Sequence, residues 1–226
     1  MNRLVRGIQV VWFWFGKSLT FFTFGLSCLV ATLAGFPLVR LLVHPGWRFR
    51  RVLRWFIRAT FWLMMTWLRA LGLIRVKVLH PERLKGIKGM VVVASHPMLI
   101  DVTLLFALVR QGNCIVRGDM WTHPIAGGVV SRLFIPQFRE FESMVQSAKA
   151  SLDEGDNLII FPEGTRTVRG QTGVAKRGAA QLAVRTGHDI LPIRIRVDDS
   201  TGFAKHDSYF GVPRTGRYPY YREVLE

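Results

Sequence analysis

The sequence predicts an α/β fold with a largely parallel central sheet flanked by helices, preceded by an N-terminal membrane-embedded two-helix anchor. Two observations lead to this fold class. After residue 74, short apolar and β-branched runs alternate with helical stretches, an order typical of parallel sheets covered by helices. Before residue 75, the chain is apolar and basic and contains no acidic residue. We therefore assign residues 1–74 to the anchor and 75–226 to the α/β domain with an irregular C-terminal tail.

The first anchor segment is long enough to enter a bilayer deeply. Between Lys17 and Arg40 lie 22 uncharged, mostly apolar residues, and about 20 such residues cross a hydrocarbon core of roughly 30 Å. The stretch is longer than the apolar core of a signal peptide and lacks a small-residue cleavage pattern before Pro37. It is therefore predicted to be a membrane segment that is retained.

The second anchor segment, about Val52 to Leu73, combines aromatic residues with arginines that recur on one helical face: Arg51, Arg54, Arg58 and Arg69. Such a helix is predicted to lie at the lipid interface, with guanidiniums on head-group phosphates and aromatic rings in the acyl boundary. A full transmembrane hairpin would place its basic linker on the outer side, against the usual charge distribution. We favour a hairpin that dips into one leaflet, and a single span over residues 18–39 is the alternative.

The net charge of +16 is concentrated near the start, since the first 74 residues hold ten Lys or Arg. Because this charge is interleaved with apolar sequence and no nucleic-acid-binding module is recognisable, it predicts attraction to anionic lipid and no nucleic-acid partner. The expected location is a membrane, on its cytoplasmic face, and the inner membrane if the source is bacterial. Cys28 and Cys114 show neither metal spacing nor a disulfide framework.

The α/β domain has five candidate strands, and its roughly 150 residues suffice for one core. The tail from residue 198 shows no clear periodicity. The candidate strands are Arg75 to Leu79, Met90 to Ala94, Asn113 to Val116, Leu158 to Phe161 and Ile190 to Ile195.

One pair of residues, His96 and Asp101, suggests chemistry. The strand ending at Ala94 places His96 just past its carboxyl end, and Pro97 suits the first position of a following helix. From the turn before that helix, the imidazole can meet Asp101. An imidazole backed by a carboxylate is a general base, and no protein nucleophile is evident, so the proton it takes is predicted to come from a substrate hydroxyl.

A second segment, Phe161-Pro-Glu-Gly-Thr-Arg166, adds an acid, a flexible backbone and a guanidinium. Together with the H-x-x-x-x-D pattern of His96 and Asp101, Ile190-Leu-Pro-Ile193 downstream and a basic stretch beginning at Lys176, it resembles the lysophospholipid acyltransferase family, of the 1-acylglycerol-3-phosphate acyltransferase type. The resemblance runs from about Val76 to Val197.

The resemblance implies an O-acyltransferase that acts on a lysophospholipid, by default lysophosphatidic acid giving phosphatidic acid. It implies His96 as the base and Asp101 as the residue that orients it. The donor would be an acyl-CoA or acyl carrier protein thioester used as a co-substrate, with no cofactor and no metal. The residues implied in substrate binding are Glu163, Gly164, Thr165, Arg166, Arg139 and Lys176.

Two departures from the family pattern bear on the acceptor. Ser95 stands where the family usually has Asn. The family's Phe-Ile-x-Arg arginine, which holds acceptor phosphate, appears two residues late, at Arg139. A different acceptor, such as a lyso-aminolipid or another hydroxylated lipid, is therefore an alternative.

Two further alternatives come from other classes. The first is a metal-dependent enzyme with His96, Asp101 and Glu163 as its ligand set, which the short His/Asp spacing permits. The second is a catalytically silent module that binds membranes or a carrier protein. The intact His/Asp pair argues against the silent module.

Overall fold

The computed structural model describes residues 3–43, 46–137, 140–168, 171, 173–197, 204–205 and 220–224. In these ranges the helices are α1 Arg3–Val30, α2 Phe36–Leu42, α3 Trp47–Ala70, α4 Asp101–Leu108, α5 Gly118–Trp121, α6 Gly127–Leu133, α7 Phe141–Asp153 and α8 Gly178–Thr186. A π-helical turn, Ala31–Gly35, joins α1 to α2, and a 3-10 turn covers Pro81–Leu84. The strands are β1 Arg75–Val78, β2 Val91–Ala94, β3 Gly112–Val116, β4 Ile135–Pro136, β5 Asn157–Ile160, β6 Ile190–Val197 and β7 Tyr220–Val224.

The sheet has the order β1-β7-β6-β2-β5-β3-β4. The five strands from β6 to β4 are parallel to one another, whereas β7 runs antiparallel to β6 and parallel to β1. The predicted largely parallel sheet flanked by helices is therefore confirmed. All five candidate strands are present to within two residues. Two were missed: β4, which is only two residues long, and β7, which lies in the tail predicted to be irregular.

The apolar runs of the central strands are explained by burial on both faces. In β2, Val92 and Ala94 belong to the core cluster that contains residues of α3 and α4, whereas Val91 packs in a second cluster with α7 and α8. Strand β5 divides in the same way, with Ile159 in the first cluster and Leu158 in the second. A strand between two helical layers needs apolar residues at every position, which removes the alternation seen in one-sided sheets.

The N-terminal helices pack as a hairpin against the α/β domain. Phe24 of α1 stacks on Phe61 of α3 with ring centroids 5.9 Å apart, and Phe61 contacts Phe106 of α4 at 5.7 Å. Gly16 permits the close approach of α1 to the segment between α3 and β1, because a Cβ there would lie 2.7 Å from Leu73 Cδ1. The first core cluster is therefore continuous from α1 to the sheet.

The outer surface of this hairpin is apolar. Within the described ranges, one helical stretch, Gly7–Leu42, is long and apolar enough to cross a membrane, judged by length and composition. Its 36 residues extend roughly 54 Å at 1.5 Å per residue. The large side chains exposed on α1, the π-helical turn, α2 and α3 include Trp12, Phe15, Phe22, Leu33, Leu41, Leu42, Trp55, Trp62, Leu63 and Trp67.

One arginine of the face predicted for α3, Arg54, is buried and does not lie at the lipid interface as the sequence predicted. Arg54 is 6% exposed and forms an ion pair with Asp156, which is also 6% exposed at its side chain. Asp156 accepts a further hydrogen bond from the Ser151 hydroxyl at 2.7 Å, and Ser151 accepts one from Asn113 Nδ2 at 2.8 Å. The prediction that Arg54 meets lipid head groups is wrong, because Arg54 packs onto the α/β domain, whereas Arg51 and Arg69 of the predicted face are exposed.

Burial raises the pKa of Asp156, although Arg54 opposes that effect. The charges of this pair are thus stabilised mainly by each other, and removing one partner leaves the other buried without compensation. Replacing Asp156 with Ala is expected to lower the free energy of unfolding by about 3–5 kcal/mol, whereas the double change Arg54→Met, Asp156→Leu is expected to be closer to the wild type. Chemical denaturation of the detergent-solubilised protein measures both.

The control is Lys149→Ala, which breaks the exposed Lys149–Asp153 pair and is expected to cost less than about 1 kcal/mol. Equal losses in the Asp156 single variant and in the double variant would contradict the interpretation of a mutually compensated buried pair.

Candidate active site

His96 lies two residues past the carboxyl end of β2, in the turn that leads into α4. Its Nδ1 is 3.0 Å from Asp101 Oδ2. The imidazole is 15% exposed and the carboxylate is fully buried. With Asp101 ionised, Nδ1 carries the proton donated to the carboxylate, and Nε2 keeps a free lone pair. The predicted meeting of His96 and Asp101 is therefore present in the structure.

The helix that carries Asp101 begins later than the sequence predicted. Pro97 is not its first residue, because α4 starts at Asp101 itself. The backbone N–H of Met98 donates to Asp101 Oδ2 at 2.6 Å, so the carboxylate caps the turn that precedes its own helix. A negative charge in the first turn of a helix is also favoured by the helix dipole. The four intervening residues thus form a turn that brings the imidazole back over Asp101.

Phe161 fixes the plane of the imidazole. It follows β5, the neighbour of β2 in the sheet, and its ring stacks on His96 with centroids 4.2 Å apart and planes 25° apart. No role in the site was predicted for Phe161 individually. Its place at the start of the FPEGTR segment, directly after a strand, was the available signal.

The FPEGTR segment also holds the backbone of His96. Glu163 Oε2 accepts the His96 N–H at 3.0 Å, and the Thr167 N–H donates to the His96 carbonyl at 2.9 Å. Both backbone polar groups of the histidine are thus bound by residues of, or next to, the second motif. Glu163 contacts the protein backbone with one of its two carboxylate oxygens.

Ser95 ties the same turn to β6 on the other side. Its hydroxyl accepts the N–H of Ile195 at 2.8 Å and lies 3.2 Å from the Ile195 carbonyl, to which it donates. The Ser95 N–H donates to the carbonyl of Ile193 at 3.2 Å. A hydroxyl in place of the usual amide therefore serves as both donor and acceptor at the end of the β2–β6 ladder.

Of the remaining predicted binding residues, four lie in or against the FPEGTR segment. Gly164 has φ of +68°, a conformation that favours glycine, and the side chain of Lys176 reaches it, with Nζ 3.3 Å from the position of a Gly164 Cβ. The Lys176 N–H also donates to the Pro162 carbonyl at 2.9 Å. Thr165 is exposed and Arg166 is half-buried in the same loop. Arg139 lies outside the described residues.

The metal alternative gains no support from the arrangement of these side chains. In the part of the chain that the structure describes, no group of three His, Cys, Asp or Glu residues has the geometry to hold a metal ion. Asp101 Oδ2 is occupied by the His96 ring and the Met98 N–H, and Glu163 Oε2 by the His96 N–H. Both carboxylates are thus turned toward protein donors.

Cys114 is not an alternative nucleophile. Desolvation by burial raises the pKa of its thiol, which keeps the sulfur protonated, and the thiolate is the reactive form. The cysteine lies within β3, on a strand separated from β2 by β5.

A model of the acyltransferase family matches residues 75–196. The chain belongs to the acyltransferase family. The match covers the strand of His96, the FPEGTR segment and β6, and it agrees closely with the range of the resemblance seen in the sequence.

Several named acyltransferases are similar to this chain. The chloroplastic 1-acyl-sn-glycerol-3-phosphate acyltransferase BAT2 of Brassica napus is 25% identical over 186 residues, which cover 74% of this chain and 51% of that protein. This chain thus spans about half the length of that relative. A 1-acyl-sn-glycerol-3-phosphate acyltransferase of Pseudomonas aeruginosa is 28% identical over 196 residues, covering 84% of this chain and 71% of that one.

A solved structure shares the fold of this chain. The crystal structure of the 1-acyl-sn-glycerophosphate (LPA) acyltransferase PlsC from Thermotoga maritima superposes with a TM-score of 0.63 at 21% identity. The superposition covers 100% of this chain and 86% of that chain. It supports the observed architecture of the sheet and of the helices that precede the sheet in the chain.

Gly173 provides a test of how tightly Glu163 is held in this acyltransferase. A Cβ at Gly173 would lie 2.8 Å from Glu163 Oε1 and 2.6 Å from Thr167 Oγ1, so Gly173→Ala must displace one of them. Because Glu163 and Thr167 hold the His96 backbone, we expect kcat/KM for acyl transfer to fall about tenfold or more, since small displacements of catalytic groups are costly.

The matched control is Gly178→Ala, because nothing lies within 4 Å of a Cβ at Gly178. This variant is expected to keep wild-type kinetics. Steady-state rates of both variants, together with their unfolding midpoints, separate displacement of the site from loss of folding. Wild-type rates for the Gly173 variant would show that activity does not depend on the observed position of Glu163.

Proposed function

We propose that this protein is a membrane-bound O-acyltransferase that transfers a fatty acyl group from a thioester to a hydroxyl of a lysophospholipid. The observation that carries the proposal is the imidazole of His96, whose Nδ1 is engaged by a buried carboxylate at 3.0 Å while Nε2 keeps its lone pair. This arrangement suits a base that acts on a substrate hydroxyl rather than on a protein nucleophile.

The proposed reaction needs no covalent enzyme intermediate. Nε2 of His96 takes the proton of the acceptor hydroxyl as its oxygen attacks the thioester carbonyl. The tetrahedral intermediate then collapses, the C–S bond breaks, and the leaving sulfur receives the proton from the imidazolium. Asp101 stabilises the positive imidazolium between these two steps. An acyl ester and a free thiol are the products.

The proposed acceptor is lysophosphatidic acid, giving phosphatidic acid. The support is the naming of the relatives as 1-acyl-sn-glycerol-3-phosphate acyltransferases, together with basic and flexible groups next to the base. Lys176 reaches Gly164 beside the histidine turn, and Arg166 follows in the same loop. A guanidinium and an ammonium at this position suit a phosphomonoester.

The proposed location is the cytoplasmic face of a membrane, the inner membrane if the source is bacterial. The support is the apolar stretch Gly7–Leu42 and the exposed aromatic surface of α3. We favour insertion of the α1–α3 hairpin into one leaflet, because α3 buries Arg54 against the domain and leaves Trp55, Trp62 and Trp67 exposed for contact with lipid. A lysolipid in that leaflet would then reach the site without leaving the membrane.

Removing the base tests the reaction. His96→Ala is expected to reduce acyl transfer by about 10²–10⁴-fold, the usual contribution of a general base, without loss of membrane association. The assay supplies protein in detergent with labelled palmitoyl-CoA or palmitoyl carrier protein and a panel of lysolipids, including lysophosphatidic acid and a lyso-aminolipid. The mass of the product identifies the acceptor.

The matched control for that variant is His80→Ala, because His80 is an exposed histidine whose ring pairs with Glu82 away from the site. It is expected to retain full activity. Unchanged transfer by the His96 variant would reject the proposal, and loss of wild-type activity in chelator would favour the metal alternative instead.

A second pair of variants tests whether Glu163 positions His96 or binds the acceptor. We propose that it positions His96 through the backbone N–H rather than binding the acceptor by charge. Glu163→Gln keeps an oxygen that can accept this N–H, so its kcat is expected to remain within a few-fold of the wild type. Glu163→Ala removes the acceptor oxygen, and its kcat is expected to fall by up to about 10²-fold with little change in KM for the lysolipid.

Kinetics at varied lysolipid concentration give the measurement. If the Gln variant loses as much as the Ala variant, and if KM for the acceptor rises in both, the carboxylate charge acts on the acceptor and the positioning role is wrong.

A further inference from the structure

A cavity of about 270 Å³ lies where the N-terminal half of α3 meets the turn between α7 and β5. It is lined by two arginines of the helix, Arg51 and Arg54, and by two carboxylates of the turn, Glu154 and Asp156. Pockets that enclose a whole drug-sized ligand have volumes of roughly 300–1,000 Å³, so this cavity suits a smaller polar group. We refer to it as the α3 cavity.

The α3 cavity lies at the opposite edge of the sheet from the base. Asp156 directly precedes β5, whereas His96 follows the carboxyl end of β2, and these two strands are parallel neighbours. The four residues of β5 extend about 13 Å, so a small group bound in the cavity would not reach the imidazole. The cavity is therefore separate from the candidate active site.

Two buried polar atoms beside the α3 cavity lack hydrogen-bond partners among the described residues. Arg54 is 6% exposed and pairs with Asp156, yet its Nε, a donor, has no acceptor. Gln111 donates from Nε2 to the Arg51 carbonyl at 3.5 Å, and its buried Oε1 has no donor. Because buried polar atoms are nearly always hydrogen-bonded, these two point to a bound group that offers both an acceptor and a donor.

The charges of the lining favour a ligand that carries both signs. Glu154 pairs with Arg50 and Asp156 pairs with Arg54, so a simple anion in the cavity would meet carboxylates as well as guanidiniums. A simple cation would meet the same mixture. Burial raises the pKa of Asp156 even though Arg54 opposes this effect, so further donors beside this carboxylate would be favourable.

We propose that the α3 cavity binds a phosphoethanolamine group, with the phosphate toward Arg51 and Arg54 and the ammonium toward Glu154, Asp156 and Gln111 Oε1. Phosphate oxygens are strong acceptors for guanidinium N–H groups, including the N–H of Arg54 Nε. A primary ammonium brings three N–H donors. The quaternary ammonium of phosphocholine has none, so the same cavity would discriminate against it.

The surroundings of the α3 cavity favour a phospholipid as the source of this group. Val52 and Trp55, which adjoin the lining arginines in the helix, are 38% and 61% exposed. They belong to the apolar outer surface of the hairpin. Acyl chains would therefore lie along α3 while the head group occupies the cavity.

The test titrates the full chain in detergent with phosphatidylethanolamine, phosphatidylcholine and phosphatidylglycerol of the same acyl chains in mixed micelles. We expect phosphatidylethanolamine to bind at least tenfold more tightly than the other two. It is also expected to raise the unfolding midpoint most, because a ligand that binds only the folded state stabilises that state. Calorimetry and thermal unfolding give the two measurements.

Water-soluble glycerophosphoethanolamine identifies the source of the group. It carries the same head group without acyl chains. Much weaker binding of this compound than of the lipid would support a phospholipid site. Equal affinity would support the proposed head-group chemistry but overturn the assignment to a lipid, in favour of a soluble phosphoethanolamine compound.

Arg51→Gln and Glu154→Gln each remove one charge from the lining, and each is expected to weaken phosphatidylethanolamine binding tenfold or more. The matched controls are Arg69→Gln, at an exposed arginine near the other end of α3, and Glu142→Gln, in an exposed pair with Arg185. Both controls are expected to bind as the wild type does. Unfolding midpoints without lipid check that all four variants are folded.

Three outcomes would overturn the proposal. Equal affinity for phosphatidylethanolamine and phosphatidylcholine would remove the role of the N–H donors, and tighter binding of phosphatidylglycerol would indicate a simple anion site. Equal losses in the lining variants and their controls would indicate a general effect of charge on the micelle. None of these measurements requires turnover, so failure of acyl transfer would refute the proposed function and leave the α3 cavity to be decided by binding.

Discussion

The structure of the site depends on the clamp that the FPEGTR segment places on the backbone of His96. Glu163 holds the N–H of the histidine, Thr167 holds its carbonyl, and Phe161 stacks on its ring. A turn is otherwise the least constrained part of a fold, because few contacts restrict its dihedral angles. Here the neighbouring strand β5 supplies those contacts, so the imidazole is fixed as firmly as a residue within the sheet. The spacing between the two motifs in the sequence matters less than the adjacency of β2 and β5.

The same principle explains how the N-terminal helices belong to the domain. The aromatic contacts from Phe24 through Phe61 to Phe106 make one continuous core, and the buried pair of Arg54 and Asp156 fixes α3 about two turns closer to its N-terminus. A buried ion pair contributes little net stability, because desolvation opposes the attraction between its charges. The pair instead specifies a single position and rotation of α3, since sliding or rotating this helix would leave both charges buried without a partner. The orientation of the apolar outer surface relative to the site is thereby set.

Charge is distributed over two distinct surfaces with different physical consequences. Arg54 of α3 is buried against the domain, whereas Arg194 and Arg196 of β6 and Arg75 and Lys77 of β1 are exposed. Total charge therefore says little about partners until the fold shows on which side of the sheet each residue lies. Because charges in water are screened within about 8 Å at physiological salt, the side decides whether a basic group acts on a bilayer or on a soluble molecule.

The sequence by itself determined strands β1, β2, β3, β5 and β6, the pairing of His96 with Asp101 and the membership of the acyltransferase family, because each is written in local patterns. Apolar runs mark strands buried on both faces, and motif residues carry their chemistry in their identities. Only the tertiary structure decided that Glu163 binds a backbone N–H, that Arg54 turns inward to Asp156 and that β7 inserts between β1 and β6. Each of these depends on a partner that is distant in the chain, and the missed strands β4 and β7 gain their hydrogen bonds only from neighbours already in place. Local sequence fixes what a segment can do, but the choice among partners is made by the free energy of the whole packed arrangement.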